Sequence, residues 1–144
     1  MKRFLLRLIL IITLIPSHLY SQVNDSAILA ESPPKLLSDY GFFLDTKNQI
    51  TVPGVLPYEL ITSLFSDYAD KHRFVYVPEG KIANYQKNSV FSFPVGSVLI
   101  KTFSYDSANN QTLGRYLIET RLLIRKDSGW DALTYVWDEE GQEA

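Results

Sequence analysis

"RYLIETRLLIRKDSGWDALTYVW", residues 115–137, is the stretch on which the fold turns. Tyr116, Ile118, Thr120, Leu122 and Ile124 alternate with Arg115, Glu119, Arg121 and Arg125. A period of two with branched apolar residues on one side predicts a long strand that buries that side. "KDSG" then turns the chain, and residues 130–137 read as a second strand with Leu133, Tyr135 and Trp137 together on one face. The pair predicts an antiparallel hairpin.

Working outward, "VFSFPVGSVLIKTFSY" (residues 90–105) predicts a strand interrupted near Pro94 and Gly96, because proline cannot donate to a central ladder. "RFVYV" (residues 73–77) predicts another, closed by the turn "PEG". After Pro57, the apolar residues Leu60, Ile61, Leu64, Phe65 and Tyr68 recur at helical intervals and predict a short helix. "PKLLSDYGFF" offers a further turn or short helix anchored by Leu36, Leu37, Tyr40, Phe42 and Phe43. Residues 22–35, polar and carrying Pro33 and Pro34, read as a linker. The expected domain therefore covers residues 36–144. Its class is α+β to mainly β, an antiparallel sheet or sandwich preceded by short helical turns.

The first 21 residues stand apart. Lys2, Arg3 and Arg7 precede the apolar run of residues 8–15, which is followed by Pro16 and the small residue Ser21. That order is the pattern of a secretory signal cleaved near Ser21, and the run is far shorter than the roughly 20 residues a membrane-spanning helix needs. The expected location is the periplasm or the exterior, with no membrane span in the mature chain. Loss of the three signal cations leaves eleven Lys and Arg against sixteen acids, a net charge of −5. Such a balance argues against nucleic acid as a partner. There is no cysteine, so no disulfide supports the fold and no lipid-bearing cysteine follows the signal.

Few groups could carry chemistry. With His72 as the one histidine after the signal and no cysteine, a zinc or copper site has no ligand set, and no Ser-His-acid pattern appears. No catalytic constellation is visible. Three clusters remain as a candidate partner or ligand surface. "FSDYADKHR" gathers Asp67, Tyr68, Asp70, Lys71, His72 and Arg73, either as a recognition rim or as a solvated turn with weak local ion pairs. Lys101, Glu119 and Arg121 fall inside strong strands, and form a charge cluster if those strands pair with these faces together. Trp130, Tyr135 and Trp137 crowd the last strand, as core or as a ligand platform. On the residues alone, a free-standing periplasmic module for a small ligand or carbohydrate is one consistent reading.

Taken together, "LSDYGFF", "GVLPYELITSLFSDYADKHRFVYVPEG", "FSFPVGSVLIKTFSY", "ETRLLIR" and "GWDALTYVWDEEGQEA" resemble the N-terminal region of a family of bacterial exported di-haem c-type cytochromes. The resemblance runs from about Leu37 to the C-terminus. It implies a haem-free accessory or docking module associated with periplasmic electron transfer, with a cytochrome domain or another periplasmic redox protein as partner. It further implies that this chain ends before the CxxCH haem-attachment sites, so that haem c belongs to the downstream part and no cofactor to this one. The matching residues with functional potential are Asp67, Tyr68, Lys71, Arg73, Lys101, Glu119, Thr120, Arg121, Trp130 and Trp137.

Overall fold

A computed structural model describes residues 22–106 and 115–144. The expected signal peptide and most of the "DSANNQTLG" loop lie outside the described residues. In chain order come α1 (Asp25–Leu29), a 3-10 turn (Leu37–Tyr40), β1 (Phe43–Asp45), β2 (Ile50–Thr51), β3 (Val55–Pro57), β4 (Asp70–Tyr76), β5 (Val98–Asp106), β6 (Arg115–Lys126) and β7 (Gly129–Val136). β1 and β2 form a two-stranded antiparallel ribbon, and β3 to β7 form a five-stranded antiparallel sheet in sequence order. The protein is mainly β. Among the described residues no helix is long and apolar enough to cross a membrane.

The expected hairpin forms. Lys126 pairs with Gly129, leaving Asp127 and Ser128 as a two-residue connection between β6 and β7. One face of the sheet, called here the inner face, buries Phe74, Tyr76, Val98, Ile100, Leu122, Ile124 and Tyr135. Thr102 and Thr120 are also fully buried there. Their hydroxyls hydrogen-bond each other at 2.7 Å, and the indole N–H of Trp137 donates to Thr120 Oγ1 at 3.0 Å. Polar side chains in a core are tolerated when paired in this way.

Alternation holds along β6 only as far as Glu119. Phe103 of β5 pairs with Glu119, but Ser104 pairs with Leu117, so Ile118 is an extra residue in β6. This bulge turns the preceding residues over. Leu117 becomes the core residue at 1% exposure, whereas Tyr116, expected on the buried face, is 53% exposed.

The inner face is covered by the N-terminal layer. Phe43 meets Phe74 edge-on at 5.4 Å between ring centroids, and Tyr40 shares a 3.0 Å hydroxyl hydrogen bond with Tyr135. The 3-10 turn ends at Gly41 in a left-handed conformation (φ 68°), where a Cβ would approach the Gln22 carbonyl oxygen to 2.8 Å. Residues 22–35 belong to this layer and are not a simple spacer. Asn24 caps α1 by accepting from the Ala27 N–H, Ile28 is fully buried, and the Lys126 ammonium donates to the Ile28 and Ala30 carbonyls at 2.6 and 2.9 Å. The acidic C-terminal residues also return to the layer. The Leu37 N–H donates to the Ala144 carbonyl, and the Ser38 N–H to the Glu143 carboxylate.

The helix expected just after Pro57 does not form. Residues 58–69 run as bends and turns, with Asp67 and Tyr68 in left-handed conformations (φ 47° and 59°). The segment joins two antiparallel strands, and the Tyr58 N–H donates to the Arg73 carbonyl as an extension of that pairing. The chain must reverse there. Leu60, Ile61, Leu64, Phe65 and Tyr68 accordingly find no buried face and remain exposed.

Two stability predictions follow from this layering. Ile100→Ala, on the inner face, should cost about 2–5 kcal/mol in urea unfolding, while Leu123→Ala, 42% exposed on the opposite face, should stay within about 0.5 kcal/mol. Burial, reinforced by the Tyr135 hydrogen bond at Tyr40 and the Asp25 hydrogen bond at Tyr76, pushes both phenols above the usual 10.0. Their folded pKa exceeds the unfolded one, so this stability is intact below about pH 10 and is lost as pH rises beyond it. The alkaline fall in unfolding free energy should be shallower in Tyr40→Phe and Tyr76→Phe than in the parent.

Candidate functional site

The inner face is filled, whereas among the described residues the outer face of the sheet is only half-covered, by Tyr58 and by the segment that carries Ala83, Val90, Phe91 and Phe93. The register decides what it displays. Arg73 of β4 lies directly opposite Lys101 of β5, and Lys101 directly opposite Arg121 of β6. Three cations therefore form one row across three neighbouring strands, spanning about 10 Å at the usual strand spacing. The next outer row toward the open end of the strands holds Lys71, Phe103 and Glu119.

Like charges placed directly opposite each other destabilise a sheet. Local contacts moderate the cost. The Lys101 ammonium stands 4.4 Å from the centroid of the Phe103 ring and the Arg121 guanidinium 5.0 Å from it, each a cation–π contact. Glu119 accepts from Arg121 Nε at 2.6 Å. Arg73 donates to the Lys71 carbonyl at 3.1 Å, and the Lys71 ammonium to the Leu64 carbonyl at 2.7 Å. Lys101 is still held below the usual lysine range. Partial burial is the main cause, followed by the charges of Arg73, Arg121 and Lys71, with Glu119 acting in the opposite direction.

Two residues along the strands in the other direction, about 7 Å away, the outer row becomes apolar: Val75, Leu99, Leu123 and Ala132. Two cavities lie along this boundary. One, about 470 Å³, is bordered by Lys101, Arg121, Leu123 and Thr134. The other, about 520 Å³, is lined by apolar and aromatic residues, among them Val75, Val77, Phe91 and Phe93. Both include Tyr58 and Leu99, so they adjoin. The aromatic rings continue beyond them, from Tyr85 to Phe91, Phe93 and Trp130, with centroid separations of 5.9, 6.2 and 5.8 Å. Trp130 is 43% exposed at the end of that line.

The structure thus sorts the predicted surface residues into separate groups. Lys71, Arg73, Lys101, Glu119 and Arg121 come together on the outer face. "FSDYADKHR" does not act as one cluster ahead of a strand, because residues 70–73 lie within β4 and alternate between its faces. Lys71 and Arg73 point outward, while His72 is on the inner side with Nε2 3.1 Å from the Ser104 hydroxyl. Asp67 and Tyr68 occupy the turn before β4, where the Asp67 carbonyl accepts from the Tyr105 hydroxyl and the Tyr68 ring meets Phe65 edge-on. Thr120 and Trp137 are inner-face residues engaged with each other. Trp130 touches the candidate site through the Phe93 ring and also borders a separate cavity beside α1.

Sequence reasoning missed Tyr58, Val75, Leu99, Phe91 and Phe93, which form the apolar half of the site. One signal was present. "VLIK" in β5 is apolar at successive positions, so both faces of that strand carry apolar side chains. Among the described residues no three His, Asp or Glu side chains gather as a metal site requires. Comparison with family models, with curated proteins and with solved structures finds no match.

The charge coupling can be read directly at Lys101. In a carbon-13 NMR titration of its side chain, Arg121→Ala should raise the Lys101 pKa by removing a like charge, and Glu119→Gln should lower it further. Equal titration in all three proteins would mean that the row is not electrostatically coupled.

Proposed function

We propose that this chain is an exported, non-catalytic binding module that works through the outer face of its five-stranded sheet. The observation that carries the reading is the pair of adjoining cavities on that face, one bordered by the cations Lys101 and Arg121 and the other floored by Val75, Leu99 and Phe93, which share Tyr58 and Leu99. Its dimensions fall in the range of small-molecule sites, which are concave, mostly apolar and oriented by a few polar groups. Export rests on the order of basic, apolar and small residues at the N-terminus. On this reading the module holds a small ligand in the periplasm. A metabolite panel screened by thermal shift should contain ligands that stabilise the protein and whose effect is lost in Arg121→Ala. A panel without any stabilising compound would remove the reading.

A second reading is supported by a different observation. Leu56, Ile61, Leu64, Phe65 and Tyr68 are each more than 60% exposed, and apolar exposure of this kind extends well past the groove. Phe65 and Tyr68 meet edge-on within that stretch, and apolar side chains exposed side by side are what a protein contact uses. With the resemblance to exported di-haem c-type cytochromes, it supports a haem-free docking module for a cytochrome part or another periplasmic redox protein, the haem c belonging to that partner. Titration with a purified di-haem c-type cytochrome should then give a saturable complex that Leu64→Ser with Phe65→Ser abolishes. An unchanged complex in that double variant would rule out this surface as the contact.

A further inference from the structure

The outer groove is divided by the register into a cationic end and an apolar end, and that division specifies what it can hold. Lys101 and Leu99 lie two residues apart on β5, with Arg73 and Val75 beside them on β4 and Arg121 and Leu123 on β6. A body lying along β5 with one end at Lys101 has its other end over Leu99 and then Phe93. Tyr58 borders both parts of that path.

We infer that the groove binds an anionic amphiphile, with its carboxylate or comparable anionic head at Lys101 and Arg121, which border the cavity beside Arg73, and its hydrocarbon tail along Leu99 between Tyr58 and Phe93. Charge complementarity argues for the head. Three cations stand opposite one another, and the neighbouring acid, Glu119, is engaged by Arg121. An anion placed between them replaces like-charge repulsion with charge-assisted hydrogen bonds.

The tail follows from what the floor lacks. β4, β5 and β6 are interior strands whose backbone groups are paired within the sheet. An extended peptide laid on this face would bury its amides against Val75, Leu99 and Phe93 with no backbone partners, at the cost of unpaired polar groups. A hydrocarbon chain has none to satisfy. It gains from covering apolar side chains that are otherwise wet, among them Phe91 (51% exposed) and Val90 (82% exposed).

This inference rests on the small-ligand reading and names its ligand class. It is tested with the purified protein and two probes, decanoate and decanol, followed by isothermal titration and by the methyl signals of Leu99 and Leu123. Decanoate should bind saturably with one molecule per chain, shift those methyls, and bind about tenfold or more tightly than decanol. Lys101→Met with Arg121→Met should reduce decanoate to the decanol level and leave decanol unchanged, in a protein whose remaining amide spectrum matches the parent. Leu99→Ser should weaken both probes. Equal affinity for decanoate and decanol, or no loss in the double Met variant, would overturn the inference, since the head would then not be recognised. If decanoate fails while another panel compound shifts Lys101 and Leu99, the amphiphile is wrong and the small-ligand reading stands. If no compound binds at all, both fall.

Discussion

The hydrogen bond between the Thr102 and Thr120 hydroxyls, with the Trp137 indole donating to the same Thr120, holds β5, β6 and the residue after β7 in one register. All three groups are buried, so a shift of one residue would leave hydroxyls and an N–H without partners in an apolar layer. It would also exchange the faces of every side chain in the shifted strand. The same register that places Ile100 and Leu122 in the core places Lys101 opposite Arg121 on the outside. Core and candidate site are two faces of one constraint.

The two faces are treated differently. The inner one is closed by α1, the 3-10 turn, the β1–β2 ribbon and the returning C-terminal residues, which bring Tyr40, Phe42, Phe43 and Val52 into the core. The outer one keeps a row of like charges beside a row of wet apolar side chains. Neither arrangement stabilises the isolated sheet. Departures from local consistency in an otherwise consistent fold are expected where a protein binds something. Phe103 and Glu119 moderate the charge conflict, while partial burial first and the neighbouring cations second hold Lys101 below the usual lysine range.

Strand existence was legible because alternation over many residues has one structural solution. The hairpin of β6 and β7, β5 after Gly96 and β4 all reflect that pattern. Residues 90–97, expected as the first part of an interrupted strand, make only a single bridge from Ser92 to Asn84, because Pro94 and Gly96 end the ladder before them. The misses share a cause. Leu60, Ile61, Leu64, Phe65 and Tyr68 repeat at helical spacing, yet pairing of β3 with β4 requires the intervening chain to reverse. Tyr116 and Leu117 changed places because one extra residue, Ile118, opposes the junction of Phe103 and Ser104, and period-two reading carries no mark of a bulge. For the site, Lys101, Glu119 and Arg121 could be named as co-facial once their strands were paired. Arg73 joined them only through β4, and the apolar half, built from residues 58 and 75–99, needed the folded sheet.

What the chain's own order of residues determined was a mainly β protein with long alternating strands and an acidic balance without cysteine. These follow from periodicity and composition, which act over short distances along the chain. Which strand lies beside which, where the bulge falls, and which face remains partly open are set by pairing across distant segments. Lys101 and Arg121 are twenty residues apart in sequence and Arg73 is farther still. Their shared row, and the groove beside it, exist only because hydrogen-bond register converts that separation into adjacency.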